Sequence, residues 1–113
     1  MSRTISRAFV TAAWSKNRVE AEDQARKYCR ELVKLGYMPL CPILIFSGVI
    51  SEDDPDGEKK YREMSLDLLK RARVFVTCGD EITEDMEEEE SIAYAHNLVV
   101  TDFEGMMKRR KSK

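Results

Sequence analysis

Four short apolar runs alternate with longer amphipathic segments along the chain, and each run predicts a buried β-strand. The runs are continuous rather than alternating in hydrophobicity, which is typical of strands that are covered on both faces. Pro39 places the second strand toward an edge of the sheet, because proline has no N–H to donate to the ladder. The predicted strands are residues 7–13, 37–41, 74–78 and 98–103.

The segments between the strands predict three helices. The first begins near Val19 and ends at Gly36, because glycine commonly follows the last turn of a helix. The third covers about residues 84–96, whereas residues 42–50 are expected to be irregular and residues 51–60 to form an acidic surface loop. Apolar side chains recur at helical spacing in the first helix (Ala21, Ala25, Tyr28, Cys29, Leu32 and Leu35) and in the second (Tyr61, Met64, Leu68 and Ala72).

Strands that alternate with helices predict the α/β class. Successive β-α-β units give a parallel sheet with helices on both faces, and we expect a small, doubly wound, flavodoxin-like α/β/α arrangement. Ligands of such sheets bind outside the carboxyl ends of the strands. Any site is therefore expected among three loops, at residues 12–18, 42–51 and 79–85, together with the start of the third helix.

Composition and charge narrow the possible functions. The chain has 113 residues, of which 42% are hydrophobic and 35% are charged, and this balance predicts one folded domain over residues 1–107. Residues 108–113 are basic and are expected to form a flexible tail. No apolar run approaches the roughly 20 residues of a membrane span, and the N-terminus lacks an apolar signal-peptide core, so a cytoplasmic protein without a membrane partner is expected.

The cysteines, the histidine and the net charge argue against several partners. Three cysteines without CxxC spacing argue against a disulfide framework and a zinc site, and His96 is the only histidine. The formal net charge of −2 argues against nucleic acid as a partner. We expect neither a metal nor a cofactor.

The loop after the first strand has two interpretations. Lys16 and Arg18 stand just before the first helix, where free N–H groups and the helix dipole attract anions. Ser15 and Asn17 are equally suited to cap that helix. The loop has no glycine, so it matches neither a P-loop nor a dinucleotide fingerprint.

Four consecutive glutamates, at positions 87–90, begin the predicted third helix. At about 100° per residue, Glu89 falls inside the arc of Met86, Ile92 and Ala93, the apolar side of this helix. Glu88 lies beside Ile92 and is the rival. A carboxylate on the apolar side is costly to bury unless it is paired, so an inward glutamate is a candidate functional residue.

Several segments together resemble the nucleoside 2-deoxyribosyltransferase-like proteins, in particular a branch of short bacterial and phage-type domains. The resemblance covers about residues 7–103, and the order and spacing of the segments carry it rather than one specific motif. These segments are "FVTAAW", "ARKYCRELVKLGYMPLCP", "YREMSLDLLKRARVFVTCGD" and "DMEEEESIAYA".

The resemblance implies a flavodoxin-like fold and an enzyme that cleaves or exchanges the N-glycosidic bond of 2-deoxynucleosides or their monophosphates. The family spacing implies that Glu89 is the nucleophile and that Asp80 holds, orients or protonates the base or sugar. Asp85 stands where the family has glycine. Members often dimerise and complete each other's pockets, so a homo-oligomer is expected. The positions implied to bind substrate are Ala12, Trp14, Ser15, Lys16, Asn17, Thr83, Asp85 and Met86.

Three functions stay open from the sequence. One is an enzyme in which Glu89 attacks the anomeric carbon while Trp14 stacks on the base. Another is a catalytically silent module that binds a nucleoside or nucleotide, which Asp85 favours. The third is an interaction domain of an oligomer.

Overall fold

The structure, a computed structural model, describes residues 5–13 and 17–111, with side chains described as far as Lys108. Within these residues, four parallel strands form one sheet: β1 (Arg7–Ala12), β2 (Met38–Leu40), β3 (Val74–Cys78) and β4 (Val99–Asp102). Their order across the sheet is β2-β1-β3-β4, so the direction of winding reverses beside β1. The predicted α/β class, with a doubly wound parallel sheet, is confirmed.

Helices cover both faces of this sheet. Helices α1 (Arg18–Lys34) and α5 (Phe103–Lys111) pack on one face, and α3 (Gly57–Lys70) and α4 (Glu84–Ala95) pack on the other. The short helix α2 (Pro42–Phe46) follows β2 at the carboxyl edge of the sheet. The result is a three-layer α/β/α arrangement, in which alternate residues of each central strand enter opposite cores.

The alternation is clearest in β1. Ala8 and Val10 join the core beneath α1 and α5, whereas Phe9 joins the core beneath α3 and α4. The Phe9 ring stacks on that of Phe75 from β3, with centroids 5.9 Å apart and planes 9° from parallel. Because the period of a strand is two, Thr11 is on the same face as Phe9 and points toward α3 and α4.

Two helices were not predicted. Residues 42–46, expected to be irregular, form α2, in which Pro42 occupies the first turn, where its missing N–H costs nothing. The last strand ends at Asp102 rather than at Phe103, because Asp102 Oδ1 accepts a hydrogen bond of 2.7 Å from the Gly105 N–H and so begins α5. Helix α5 continues to Lys111, so residues 108–111, expected to be a flexible tail, are helical.

The second predicted helix was correct in existence but wrong in extent and partly wrong in face. It begins at Gly57, inside residues 51–60, which were expected to form a surface loop. Met64 is exposed, and Ser65 takes the inward position instead. Ser65 can be buried on this stripe because its hydroxyl donates a hydrogen bond of 2.7 Å to the Tyr61 carbonyl oxygen.

Within the residues that the structure describes, no helix combines the length and the apolar character that crossing a membrane requires.

Candidate functional site

A cavity of about 770 Å³ opens at the carboxyl edge of the sheet beside β1. Its walls are the end of β1, the start of α1, α2 with the segment after it, the N-terminal half of α3 and the first turns of α4. This is the edge at which open parallel sheets bind ligands, near the point where the strand order reverses. The volume is within the range of roughly 300–1,000 Å³ that is usual for sites that bind small molecules.

Glu89 lies on the inner wall of this cavity, and its side chain is held by β1. Only 8% of the residue is exposed, and Glu89 Oε1 accepts a hydrogen bond of 2.7 Å from the Thr11 hydroxyl. The α4 stripe of Met86, Glu89 and Ala93 is buried as the helical wheel predicts, whereas Glu88 is exposed. The inward orientation of Glu89 is therefore confirmed, and a residue of the central strand fixes its carboxylate.

The surroundings of Glu89 raise the pKa of its carboxyl group above the ordinary value. Burial is the main cause, because it removes the charged form from water, and the charges of Asp85 and Glu88 act in the same direction. The Thr11 hydrogen bond and the positive charge of Arg62 oppose them. Glu89 is thus a buried carboxyl group whose charge depends on two specific partners.

Arg62 reaches from α3 to the acidic side chains of α4. Its Nη2 atom is 2.7 Å from Glu88 Oε2, and its Nη1 atom is 3.5 Å from Asp85 Oδ1. The buried Nη2 atom has this charged partner but no well-directed hydrogen bond. Because Arg62 also lines the cavity, its guanidinium is part of the same site as Glu89.

Tyr61 and Phe46 give the cavity an aromatic wall. Their rings meet edge to face, with centroids 6.0 Å apart and planes at 78°. Burial raises the pKa of the Tyr61 phenol, and the nearby Cys41 and Glu89 raise it further, so this side chain is neutral at neutral pH. The aromatic wall can therefore pack against a planar, uncharged group.

Arg18 closes the outer side of the cavity through a network of polar contacts. Its guanidinium donates a hydrogen bond of 2.8 Å to Ser47 Oγ and pairs with Glu22 at 3.1 Å and Glu52 at 2.8 Å. These contacts connect the start of α1 to the segment that follows α2. Because two carboxylates already pair with Arg18, its charge is compensated within the protein.

The residues predicted to form the site separate into three groups. Ala12, Thr83, Asp85, Met86 and Glu89 all line the cavity. Thr83 is also the N-cap of α4, since its hydroxyl oxygen accepts a hydrogen bond of 3.2 Å from the Met86 N–H.

The other predicted residues do not line the cavity or are not described. Asn17 caps α1 by accepting a hydrogen bond from the Glu20 N–H, as one of the two interpretations of that loop expects. Asp80 follows β3, is exposed and is outside the cavity wall, and its charge acts instead on Tyr28, whose pKa burial raises. Trp14, Ser15 and Lys16 lie outside the described residues.

The cavity residues that reasoning from the sequence missed include Thr11, Tyr61, Arg62 and Ser65. The alternation of side chains along β1 could have identified Thr11, since Thr11 is two residues after Phe9 and near the carboxyl end of the strand. Tyr61 and Ser65 are four residues apart and share a helix face, but the hydroxyl of Ser65 makes that face look polar in the sequence. Nothing in the sequence marks Arg62, because its role depends on how α3 packs against α4.

In the part of the chain that the structure describes, no three His, Cys, Asp or Glu side chains converge so as to hold a metal ion. The Cys29, Cys41 and Cys78 thiols are free and buried. The polar groups on the described wall of the cavity include the buried Glu89 carboxyl group, four less buried carboxylates, several hydroxyls and two paired arginines. This set can bind an organic molecule and present an oxygen nucleophile to it.

Comparison with known proteins gives a family for this chain. No curated protein matches the chain. A family model matches residues 6–103, from the residue before β1 to the start of α5, and so covers all four strands and the cavity. The chain therefore belongs to the family described as the domain of unknown function DUF7768.

Proposed function

We propose that the protein cleaves or exchanges the N-glycosidic bond of 2-deoxynucleosides, with Glu89 as the nucleophile. The observation that carries this proposal is the buried Glu89 carboxylate, held by Thr11 on the wall of a ligand-sized cavity at the carboxyl edge of a parallel sheet. A carboxylate buried without a full ionic partner is disfavoured by packing, so a chemical use for it is the better explanation. The resemblance to deoxyribosyltransferase-like proteins supplies the substrate class.

The reaction follows the logic of retaining glycosidases. A Glu89 oxygen attacks the anomeric carbon as the bond to the base breaks, and the electron pair of that bond leaves with the base. Water or a second base then displaces Glu89 from the covalent glycosyl-enzyme with overall retention, and the proton that this acceptor loses neutralises the departed base. The Thr11 hydrogen bond fixes the carboxylate for attack, and the aromatic wall of Tyr61 and Phe46 offers a surface for the base.

The charge of the cavity favours an uncharged nucleoside as the first substrate to test. Five carboxylates line the described wall, against two arginines that are both paired with carboxylates. Lys60 compensates only Asp54, at 2.6 Å. A 5′-phosphate therefore meets a net negative wall, which disfavours it. The five carboxylates are Glu52, Asp54, Glu58, Asp85 and Glu89.

The direct test is incubation with a panel of deoxynucleosides and their 5′-monophosphates, followed by chromatography for free base. We expect base release from at least one unphosphorylated deoxynucleoside, at a higher kcat/KM than from its monophosphate. Glu89→Gln should abolish release while its far-UV circular dichroism stays that of the wild type. Glu87→Gln, which changes an exposed acid of the same helix, is the matched control and should keep full activity.

Two results would contradict the proposal. One is turnover by Glu89→Gln at the wild-type rate, which would remove Glu89 from the chemistry. The other is the absence of free base from every substrate in the panel.

The second candidate is a module that binds a deoxynucleoside without cleaving it. Asp85 favours this candidate, because its exposed carboxylate lines the cavity at the start of α4, where the resembling enzymes have a glycine against the ligand. This module predicts a rise in melting temperature with deoxynucleosides and no release of base. Wild-type turnover in the same samples would contradict it.

We also propose a homo-oligomer in the cytoplasm. The resemblance suggests the oligomer, and Tyr94 on α4 and Val99 on the edge strand β4 are exposed apolar residues that an interface would cover. The three free cysteines suit a reducing compartment. Size-exclusion chromatography with light scattering tests the oligomer, and a monomeric mass at working concentration would contradict it.

A further inference from the structure

Two successive turns of α4 carry three carboxylates, of which two, Asp85 and Glu89, line the cavity. Glu89 is buried, and Asp85 and Glu88, four residues and one residue before it, are on the side of the helix that faces α3. Such closely spaced like charges oppose one another, and the buried member accepts a proton most readily. A site that uses Glu89 as an anion therefore needs a compensating charge close to α4.

Arg62 supplies that charge from the opposite helix. It contacts Glu88 at 2.7 Å and Asp85 at 3.5 Å and lines the cavity into which Glu89 projects. We propose that Arg62 is a positioning residue, which cancels the charges of Asp85 and Glu88 and so keeps Glu89 anionic and ready to attack. This inference rests on the proposed function for the attack, but the ionisation of Glu89 can be measured without turnover.

Among the residues that the structure describes, the other groups that face Glu89 do not carry a positive charge. Thr11 of β1 donates a neutral hydrogen bond, and the Tyr61 phenol of α3 is neutral at neutral pH because burial raises its pKa. On α4 itself, Asp85 and Glu88 raise the pKa of Glu89, and burial raises it further, whereas Arg62 lowers it. Among the charged groups in the described part of the chain that act on Glu89, Arg62 is thus the one that favours its anion.

The geometry also separates this role from simple attachment of α3 to α4. Attachment of α3 to α4 needs only some favourable contact between the two helices. Charge cancellation, by contrast, needs a cation at position 62 and anions at positions 85 and 88. Arg62→Lys keeps the positive charge but loses the planar, two-pronged geometry of the guanidinium, so the decrease of kcat/KM at acid pH should resemble that of the wild type. Arg62→Gln loses the positive charge, so this decrease should begin at a higher pH.

Removing the opposing acids supplies a rescue. In the triple variant Arg62→Gln/Asp85→Asn/Glu88→Gln, the cation and the two anions that it cancels are all absent. If Arg62 acts by cancelling their charge, Glu89 should regain much of its anionic character. If Arg62 only attached α3 to α4, removing Asp85 and Glu88 as well would not restore the properties of Glu89.

The experiment follows the Glu89 carboxyl group directly by NMR of protein labelled with ¹³C at glutamate carboxyl carbons, with Glu89→Gln to assign the signal. The titration midpoint of Glu89 should move to higher pH in Arg62→Gln and return toward the wild-type value in the triple variant. In the matching rate profiles, kcat/KM of Arg62→Gln should fall relative to the wild type by a larger factor at pH 6 than at pH 8, and a shift of one pKa unit limits the difference between the two factors to about tenfold.

Arg71→Gln is the matched control. Arg71 immediately follows α3 and pairs with Asp67 at 2.9 Å outside the cavity, so its loss should leave the Glu89 midpoint and both rates unchanged. Circular dichroism and melting temperature check that each variant folds. If Arg62→Gln does not fold, Arg62→Lys supplies the test, because its Glu89 midpoint should stay near that of the wild type.

The possible outcomes separate this inference from the proposed function. An unchanged Glu89 midpoint in Arg62→Gln, or no recovery in the triple variant, would overturn the role of Arg62 even if the wild type releases base. A wild type that releases no base, with a midpoint that moves as expected, would overturn the proposed function and the catalytic part of this inference while supporting the electrostatic part.

Discussion

The two layers of helices cover the sheet with different chemistry. Beneath α1 and α5, the buried side chains are apolar residues and cysteines, such as Leu32, Cys78 and Met106. Beneath α3 and α4, the core of Phe9 and Phe75 passes, toward the carboxyl edge of the sheet, into a polar cavity wall. The buried polar residues of the described chain, Thr11, Ser65 and Glu89, all belong to this second side.

The difference indicates which side of the sheet is organised for stability and which for chemistry. Burial raises the pKa of the Cys78 thiol to about 12, so on the α1 and α5 side this cysteine behaves as a small hydrophobic residue. On the α3 and α4 side, each buried polar group needs a partner, and Thr11 and Glu89 serve one another. A cluster of partnered polar groups against an open cavity is expected where a ligand binds, not where packing alone decides.

The largest effect should come from the apolar side. Leu32 is fully buried in α1, so Leu32→Ala should lower the free energy of unfolding by about 2–5 kcal/mol through lost burial and the cavity that remains. The molecules that stay folded should retain the function of the other face. Urea denaturation measures the first effect, and ligand stabilisation or base release measures the second.

Val33→Ala is the control for this comparison. Val33 is the next residue of α1 but is 57% exposed, so its truncation should change the unfolding free energy by no more than about 0.5 kcal/mol. Equal losses for the two substitutions would mean that the α1 face is not packed as described. A selective loss of ligand binding in Leu32→Ala would mean that the α1 and α5 side also contributes to function.

A smaller effect is expected on the polar side from Thr11→Val, which keeps the shape of the side chain and removes the hydroxyl. The Glu89 carboxylate then loses its donor, and the unfolding free energy at pH 7 should decrease by about 1–3 kcal/mol. Because this hydrogen bond lowers the pKa of Glu89, its loss should raise that pKa further. Urea denaturation at pH 7 and at pH 4 should show the smaller loss at pH 4, where Glu89 is protonated.

Thr77→Val supplies the control on the neighbouring strand. Thr77 pairs with Thr11 in the register of β1 and β3 and is half-buried, so the same substitution removes a hydroxyl without removing the donor to Glu89. It should be close to neutral at both pH values. If both valine substitutions cost the same at pH 7, the loss reflects the threonine environment rather than the bond to Glu89.

The parts of the fold that the sequence predicts are those in which a local pattern is sufficient. Continuous apolar runs identify the strands, and helical period turns Glu89 inward and leaves Glu88 exposed, because both depend on spacing alone. Helix α5 was missed because its charged sequence has little amphipathic pattern and its Asp102 cap resembles the end of a strand.

The parts of the site that the sequence does not predict depend on contacts between elements. Arg62 and Tyr61 line the same cavity as Glu89 because α3 and α4 share one face of the sheet. The polar Ser65 makes it hard to see from the sequence which side of α3 turns inward. Asp80 shows the reverse case. Its position just after β3 predicts a place in the site, but the turn at Gly79, with a φ of 86°, leads to an exposed carboxylate outside the cavity wall.

The smallest effect tests whether the polar side is costly to keep. Because the pKa of Glu89 is raised in the folded protein, folding favours its protonated form. The stability that this group contributes is therefore complete below the ordinary carboxyl pKa and is lost as the pH rises through the raised value. Glu89→Gln removes this dependence, so from pH 4 to pH 8 the wild type should lose stability relative to the variant.

Urea denaturation of both proteins across that range measures the difference, and Glu87→Gln, at an exposed position of α4, should show much less of it. A difference between wild type and Glu89→Gln that is flat with pH, or that changes in the opposite direction, would mean that the protein stabilises the Glu89 anion fully. The two sides of the sheet would then differ only in which residues are buried. The charged Glu89 side chain at the cavity wall would not lower the stability of the protein. A gain for Glu89→Gln at neutral pH, together with a loss of base release, would instead show that the residue most costly to bury is the one that the chemistry needs.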